Sequence, residues 1–159
     1  MGTAEKAFTI ILSIILGALF AFWLQPQYVL VVQTDYSVNF LLGMMDKKDH
    51  SPEVGEYMAF DFLAVKDDPR YGWKFVKVFA CKEGDYLENR GRSFYCNGRF
   101  LGTAKTHSKE GEPLPLFTYN DLIPKNSCFA VGETRDSYDS KYWGFVKREW
   151  IIGTVQKLI

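Results

Sequence analysis

The sequence of 159 residues has no excess of charge of either sign, few histidines and no paired cysteine motif. Lys plus Arg number 19, as do Asp plus Glu, and no basic run could neutralise several phosphates in succession. Nucleic-acid binding is therefore not predicted. The two histidines are far apart and the three cysteines form no CxxC motif, so the sequence predicts no zinc site, no iron–sulfur site and no cofactor.

The odd cysteine count limits the chain to one internal disulfide at most. Cys81 and Cys96 could pair across neighbouring strands, which would leave Cys128 free. Three free buried thiols fit the sequence equally well.

One long apolar run stands near the N-terminus. Residues 7–24 carry no charge, and Gln25 and Pro26 close the run. A helix of this length covers about 27 Å at ~1.5 Å per residue, close to the roughly 30 Å thickness of a bilayer core. We therefore predict that residues 1–27 form an N-terminal tail and a single transmembrane anchor. A cleaved secretory signal is the alternative.

The charges around the apolar run indicate its orientation. Lys6 precedes the run, and no Lys or Arg follows it before Lys47. Because positive residues favour the cytoplasmic side, the N-terminus is predicted to be cytoplasmic and the rest of the chain to lie outside.

Residues 28–159 are predicted to form one mainly β domain. Short segments rich in aromatic and β-branched residues alternate with clusters of Gly, Asn, Asp and Pro, and no amphipathic helix of ordinary length competes with them. The polar segment 103–115 is predicted to be a loop. The predicted strands are 28–33, 57–65, 73–80, 93–102 with a turn at Asn97–Gly98, 127–133 and 142–156.

Lys77 is the residue in these strands with the clearest chemical potential. Alternate residues of a strand share a face, which places Lys77 between Phe75 and Phe79. Loss of hydration favours the neutral amine, and lowering a lysine pKa from ~10.4 to about 7 requires some 4 to 5 kcal/mol. A neutral lysine can act as the general base for a serine nucleophile. Alternatively, Lys77 could extend to the surface or pair with a carboxylate.

Three segments of the chain resemble the signal peptidase I family. FVKVFACKEGDYL is similar to the signature in which a lysine stands eight residues before the Asp of a Gly-Asp turn, here Lys77 and Asp85. GETRDSYDSKYWGFV, at 132–146, resembles the family's Gly-Asp-Asn-Arg…Ser-x-Asp-Ser-Arg-Tyr-Trp-Gly box, and YCNGRFLG resembles the hairpin between the two. The resemblance implies a membrane-anchored β catalytic domain of mixed or antiparallel strands with a Ser/Lys dyad.

The resemblance also implies roles for four further residues. The family's catalytic serine lies shortly after the anchor, and Ser37 is the only serine between the anchor and residue 50. Ser137 matches the serine that orients the lysine, and Asp139 matches the aspartate that pairs with the next basic residue, here Lys141. If this alignment fails, Ser51 is the next candidate nucleophile.

Two residues near Ser37 depart from the family pattern. Asn39 stands where the family usually has proline, and Asp35 stands where many relatives carry a serine that assists the oxyanion hole. A carboxylate opposes a developing oxyanion unless it points away, so we expect the backbone N–H of Ser37 to be the main donor.

The resemblance implies a function and a location. The compact size and the segment GEPLPLF at 111–117 resemble the conjugative-transfer (TraF-type) branch, which implies a serine endopeptidase that cleaves the leader or tail of an exported precursor, a pilin in the first instance. A general type I signal peptidase and an inactive membrane-tethered assembly factor are the alternatives. The implied partners are a precursor bound as an extended strand and membrane lipid. The implied location is the bacterial inner membrane, with a periplasmic or extracytoplasmic catalytic domain.

Overall fold

The computed structural model describes residues 2–24 and 27–159. The chain begins with helix α1, Thr3–Leu24. Its segment Glu5–Trp23 has a mean hydropathy of 2.0 and none of it is buried, so by length and composition it could cross a membrane. A signal sequence near the N-terminus would meet the same criteria. The predicted end of the apolar run at Gln25 and Pro26 lies outside the described residues.

The rest of the described chain is mainly β, as predicted, and its strands form two sheets. The larger sheet has the order β1-β2-β11-β3-β4-β9-β10 and the smaller one β7-β6-β5-β8. The strand pairs in both sheets are antiparallel. The elements are β1 Tyr28–Val32, β2 Leu42–Asp46, β3 Tyr57–Asp61, β4 Lys74–Cys81, β5 Tyr86–Arg90, β6 Ser93–Cys96, β7 Arg99–Thr103, β8 Asn120–Leu122, β9 Ser127–Val131, α2 Ser140–Trp143, β10 Val146–Lys147, a 3-10 helix at Arg148–Trp150 and β11 Ile151–Lys157.

The predicted strands agree with the structure in the first two thirds of the chain. β1, β4 and the β6–β7 hairpin at Asn97–Gly98 lie within two residues of their predicted bounds, although β3 ends four residues early. β2, β5 and β8 were not predicted. β5 and β8 contain polar residues with low strand propensity, so pairing with neighbouring strands stabilises them rather than their own sequence.

The predicted strand 142–156 is wrong. The segment contains the end of α2, the two-residue β10, a 3-10 turn and β11. Asp139 caps the N-terminus of α2, and Gly144 ends it with a φ of +94°, which an L side chain rarely adopts. These two residues bend the chain where periodicity alone suggested one continuous strand.

The central strands of the larger sheet are buried on both faces. Met58, Phe60 and Phe75 pack in a cluster on one face, whereas Ala59 and Val76 pack in another cluster with residues from the β1–β2 region. The residues alternate along β3 and β4, so the two clusters lie on opposite faces. Lys77 therefore lies on a strand with little access to water.

A disulfide joins the two sheets. Cys81 is the last residue of β4 and Cys96 the last of β6, and their Cα atoms lie 5.9 Å apart. The pair that the sequence allowed, Cys81 with Cys96, is therefore the one formed, although β4 and β6 are not neighbours in a sheet, and the alternative of three free thiols is wrong. Cys128 is free and buried.

Candidate active site

Ser37 lies in the loop between β1 and β2, in a tight turn formed by three consecutive residues. Tyr36 has a φ of +53°, in the left-handed region. Asp35 Oδ1 accepts a hydrogen bond from the Ser37 hydroxyl at 2.8 Å and another from the Ser37 backbone N–H at 3.1 Å. An aspartate readily forms this turn, because its short side chain reaches the backbone N–H two residues later. The Asp35 carboxylate thus points toward the candidate nucleophile and not away from it.

Glu133, in the segment after β9, braces the loop that carries Ser37. Its backbone N–H donates to the carbonyl oxygen of Ser37 at 2.9 Å. Its carboxylate accepts from the Asn39 N–H at 2.6 Å and from the Tyr57 hydroxyl at 2.9 Å. Burial and the Glu133 carboxylate raise the pKa of Tyr57 to about 12. Sequence analysis did not single out Glu133, although it lies in the segment that carried the family resemblance.

Lys77 lies in the interior. Its side chain is only 1% exposed, and its Nζ is 5.2 Å from the centroid of the Phe75 ring. Burial lowers the pKa of Lys77, and this effect outweighs the opposite effects of the Asp35 and Asp139 carboxylates. The lysine therefore does not extend to the surface, but it does have a carboxylate neighbour, with 3.6 Å between Nζ and Asp35 Oδ2.

Asp35 connects the two proposed dyad residues. Within the described part of the chain, no direct hydrogen bond joins Ser37 Oγ and Lys77 Nζ; each contacts a different oxygen of Asp35. Desolvation raises the pKa of Asp35, but the Lys77 charge and the hydrogen bonds from Ser37 have a larger, opposite effect. The pKa of Asp35 is therefore below its usual value. The Asp35 side chain is still 54% exposed. The structure thus brings hydroxyl, amine and carboxylate together at one point.

Asp139 is fully buried and forms a local network. Its Oδ1 accepts from the Lys141 backbone N–H at 3.1 Å, and its Oδ2 accepts from the Gly132 N–H at 2.8 Å and from Lys141 Nζ at 2.6 Å. This network fixes the segment after β9 to α2. The negative charge of Asp139 also raises the pKa of Lys77, against the larger effect of burial.

Ser137 is buried near Ser37 but its side chain makes no hydrogen bond within the described part of the chain. Among the described residues, its Oγ has no partner, so the expected hydrogen bond to Lys77 is not formed. A Cβ on Gly132 would overlap the Ser137 side chain and come within 2.7 Å of the Ser37 carbonyl oxygen. Glycine at position 132 therefore allows Ser137 to lie close to the nucleophile loop.

A groove of about 500 Å³ lies at the nucleophile loop. Ser37, Asp35 and Ser137 line it together with residues of β1, which is the edge strand of the larger sheet. An edge strand has unpaired backbone groups that can bind an extended peptide. A second cavity of about 740 Å³ is lined by other residues, among them Cys128 and Arg148, and so does not contain this site.

Comparison with known proteins places the chain among peptidases. A family model described as signal peptidase, peptidase S26, matches residues 3–159. The chain is 29% identical over 104 residues to a probable signal peptidase I-2 of Synechocystis sp., which covers 64% of this chain and 45% of that protein. It is 26% identical over 116 residues to a signal peptidase I of Bacillus caldolyticus, which covers 66% of this chain and 63% of that protein.

One of the solved structures that match the chain covers 67% of it. It is a crystal structure of a signal peptidase I from Enterococcus faecalis V583, with a TM-score of 0.45 and 24% identity over 67% of this chain and 97% of that chain. The chain spans less than two thirds of the length of the two sequence relatives named above.

Proposed function

Because the chain belongs to the signal peptidase family, peptidase S26, we propose that it is a membrane-anchored serine endopeptidase in which Ser37 is the nucleophile and Lys77 the general base. One observation carries this proposal. Ser37 and Lys77 are both buried, and the Ser37 hydroxyl and Lys77 Nζ both contact the carboxylate of Asp35. Burial supplies the lowered pKa that a lysine needs to act as a base near neutral pH.

The reaction is acyl transfer. Neutral Lys77 takes the hydroxyl proton of Ser37 while Oγ attacks the scissile carbonyl carbon. The backbone N–H of Ser37 stabilises the oxyanion, and the Lys77 ammonium gives its proton to the leaving amine as the C–N bond breaks. Lys77 then takes a proton from water while the oxygen of that water attacks the ester carbonyl carbon. As this second intermediate collapses, the ester C–O bond breaks, the Lys77 ammonium returns the proton to Ser37 Oγ, and the acid is released.

The groove beside β1 supports a substrate bound in extended form. Apolar residues of β1 line it, and Ser37 is among its lining residues. We expect a precursor to add a strand to the β1 edge, with small side chains at the first and third positions before the cut. Helix α1 would hold the site close to the membrane where such precursors emerge, with the N-terminus in the cytoplasm.

The first test is cleavage by the full-length chain in lipid or detergent. The substrate is a fluorogenic peptide with alanine at the first and third positions before the scissile bond. We expect Ser37→Ala and Lys77→Met each to lower kcat by at least about 10³-fold, because each removes a group that the chemical step needs. Ser51→Ala and Lys125→Met, at residues that do not line the groove, are the matched controls and should leave kcat within about twofold of the wild type. A Ser37→Ala variant with full activity would refute the proposal.

The substrate could be a pilin of a conjugative transfer system or a broad set of secreted precursors. The segment GEPLPLF at 111–117 favours the conjugative branch, whereas the names of the two relatives, signal peptidase I and I-2, favour the general enzyme. Rescue of a strain depleted of its own signal peptidase would support the general role. Cleavage of a conjugation-specific pilin without such rescue would support the specialised one. A folded wild type that cleaves neither substrate would favour an assembly factor without activity.

A further inference from the structure

Asp35 contacts both Ser37 and Lys77, but the Ser/Lys mechanism described above gives it no role. Its Oδ1 accepts hydrogen bonds from both the Ser37 hydroxyl and the Ser37 backbone N–H. That N–H is the donor the oxyanion needs, so an ionised Asp35 lies next to the position where negative charge develops. An ionised carboxylate in this place would oppose the reaction unless it changes its protonation state.

On the basis of the proposed function, we propose that Asp35 is a third catalytic residue, which takes a proton from Lys77 when substrate binds and then donates it in a hydrogen bond to the oxyanion. In the free enzyme the three groups are carboxylate, ammonium and hydroxyl. Transfer of one proton from Lys77 Nζ to Asp35 Oδ2 gives a neutral carboxylic acid and a neutral amine. The amine then accepts the Ser37 proton, and the Asp35 O–H faces the oxyanion beside the Ser37 N–H. No proton is gained or lost in the transfer.

The distances and exposures of the two partners support this transfer. Asp35 Oδ2 and Lys77 Nζ are 3.6 Å apart, so a small approach brings them into hydrogen-bond range. Water reaches about half of the Asp35 side chain but almost none of Lys77. A peptide in the groove covers Asp35 and removes that water, and a less polar environment favours the neutral pair over the ion pair.

Other charged residues surround the pair and set the balance between its two states. Asp139 favours the protonated amine and Lys141 disfavours it. The remaining charged residues that line the groove are Arg70, Lys74 and Asp136. Arg70 and Lys74 pair with Asp68 and Asp61, and Asp136 pairs with Lys105 and Lys109, so each is compensated by its own partner.

A second Asp-x-Ser turn, at residues 49–51, resembles the turn at residues 35–37 but has no lysine paired with its aspartate among the described residues. Asp49 precedes Ser51 by two residues, and Asp49 Oδ1 accepts the Ser51 N–H at 3.0 Å, as Asp35 does for Ser37. Asp49 has no ion pair with a lysine among the described residues; its other side-chain partner is the Thr154 hydroxyl. The turn alone is therefore a structural feature, and only the contact with Lys77 makes Asp35 chemically distinct.

The test is kcat and its pH profile for Asp35→Asn, Asp35→Ser and Asp35→Ala in the full-length chain, with the peptide substrate described above. Asn and Ser keep a hydrogen-bond donor for the oxyanion, so their kcat should stay within about tenfold of the wild type. Ala has no donor, and its kcat should fall about 10² to 10³-fold. In all three variants the acidic limb should move to higher pH, because without the Asp35 carboxylate Lys77 must lose its proton to solvent before it can act as the base. Asp49→Ala should change neither quantity.

A second measurement detects the proton directly. The Ser37→Ala variant binds the peptide without cleaving it, and the ¹³C resonance of the Asp35 carboxyl carbon reports its protonation. We expect a carboxylate in the free protein and a carboxylic acid in the complex at neutral pH, with no change at Asp49.

The outcomes separate this inference from the proposed function. An Asp35→Ala variant as active as the wild type, equal kcat in all three variants, or an Asp35 that stays ionised in the complex would each overturn the inference alone. A wild type whose cleavage survives both Ser37→Ala and Lys77→Met would overturn the proposed function, and the inference with it.

Discussion

The buried ion pair between Asp139 and Lys141 predicts a large and specific loss of stability in Asp139→Asn. Asp139 is fully buried and the Lys141 side chain is 6% exposed. The substitution keeps the shape of the side chain but removes its charge and one acceptor oxygen. Lys141 would then hold a charge with neither water nor an anion beside it. In either orientation of the new amide, its nitrogen would face a backbone N–H donor, that of Gly132 or that of Lys141.

The expected cost is about 3 to 5 kcal/mol, the range for breaking a buried pair by removing one partner. Whole domains are stable by roughly 5 to 15 kcal/mol, so this is a large share. Lys141→Met should cost less, because Asp139 keeps the backbone N–H groups of Lys141 and Gly132 as donors. The double variant should lose less than the sum of the single variants, since it removes both charges together.

The assay is urea unfolding of the full-length chain in detergent, followed by near-UV circular dichroism. The matched control is Asp136→Asn, which also removes an aspartate paired with lysine, at 2.6 Å from Lys105, but with 43% of the side chain exposed. We expect this control to cost less than about 1 kcal/mol, because solvent screens exposed pairs. If Asp139→Asn costs no more than Asp136→Asn, burial does not decide the strength of the pair and the reasoning is refuted.

Three further predictions concern stability. Reduction of the Cys81–Cys96 disulfide, with a sequence separation of 15 residues, should lower the free energy of unfolding by about 3 kcal/mol, seen as a lower urea midpoint; an unchanged midpoint in reductant would contradict this. Gly132→Ala should cost about 1 to 3 kcal/mol in the same assay, because the new methyl group overlaps Ser137; a variant as stable as the wild type would show that the loop moves freely. Burial holds the pKa of Lys77 below its ordinary value of 10.5. Between the two values the unfolded chain binds one more proton, so this residue makes the free energy of unfolding rise with pH, by up to about 1.4 kcal/mol per pH unit. Lys77→Met should lower that slope, and equal slopes in the two proteins would contradict the burial argument.

The central strands were predictable because their sequences are strongly biased. β4 is a run of aromatic and β-branched residues around Lys77, and the Asn97–Gly98 turn has the residues that a tight hairpin requires. The short strands β2, β5 and β8 carry no such bias. They exist because a neighbouring strand offers hydrogen bonds, and a local pattern does not contain that information.

The sequence indicates which residues form the candidate site, but not all of the contacts between them. Ser37 and Lys77 were selected from motif order and position relative to the anchor. The Asp-x-Ser sequence before the nucleophile indicates a turn, so the contact between Asp35 and Ser37 could have been anticipated. The contact of Asp35 with Lys77 could not, because it depends on how the β1–β2 loop lies over β4.

Local sequence patterns are enough to predict the apolar N-terminal segment, the β character of the rest, and a lysine between two phenylalanines on a strand. These are local properties, since hydropathy and periodicity act over a few neighbouring residues. Tertiary packing is needed to know that Asp35 and Asp139 both lie near Lys77, that the Ser137 Oγ has no hydrogen-bond partner among the described residues, and that a disulfide joins two sheets. Each of these depends on how distant strands pair and on how the loops between them lie, and a local sequence pattern contains neither.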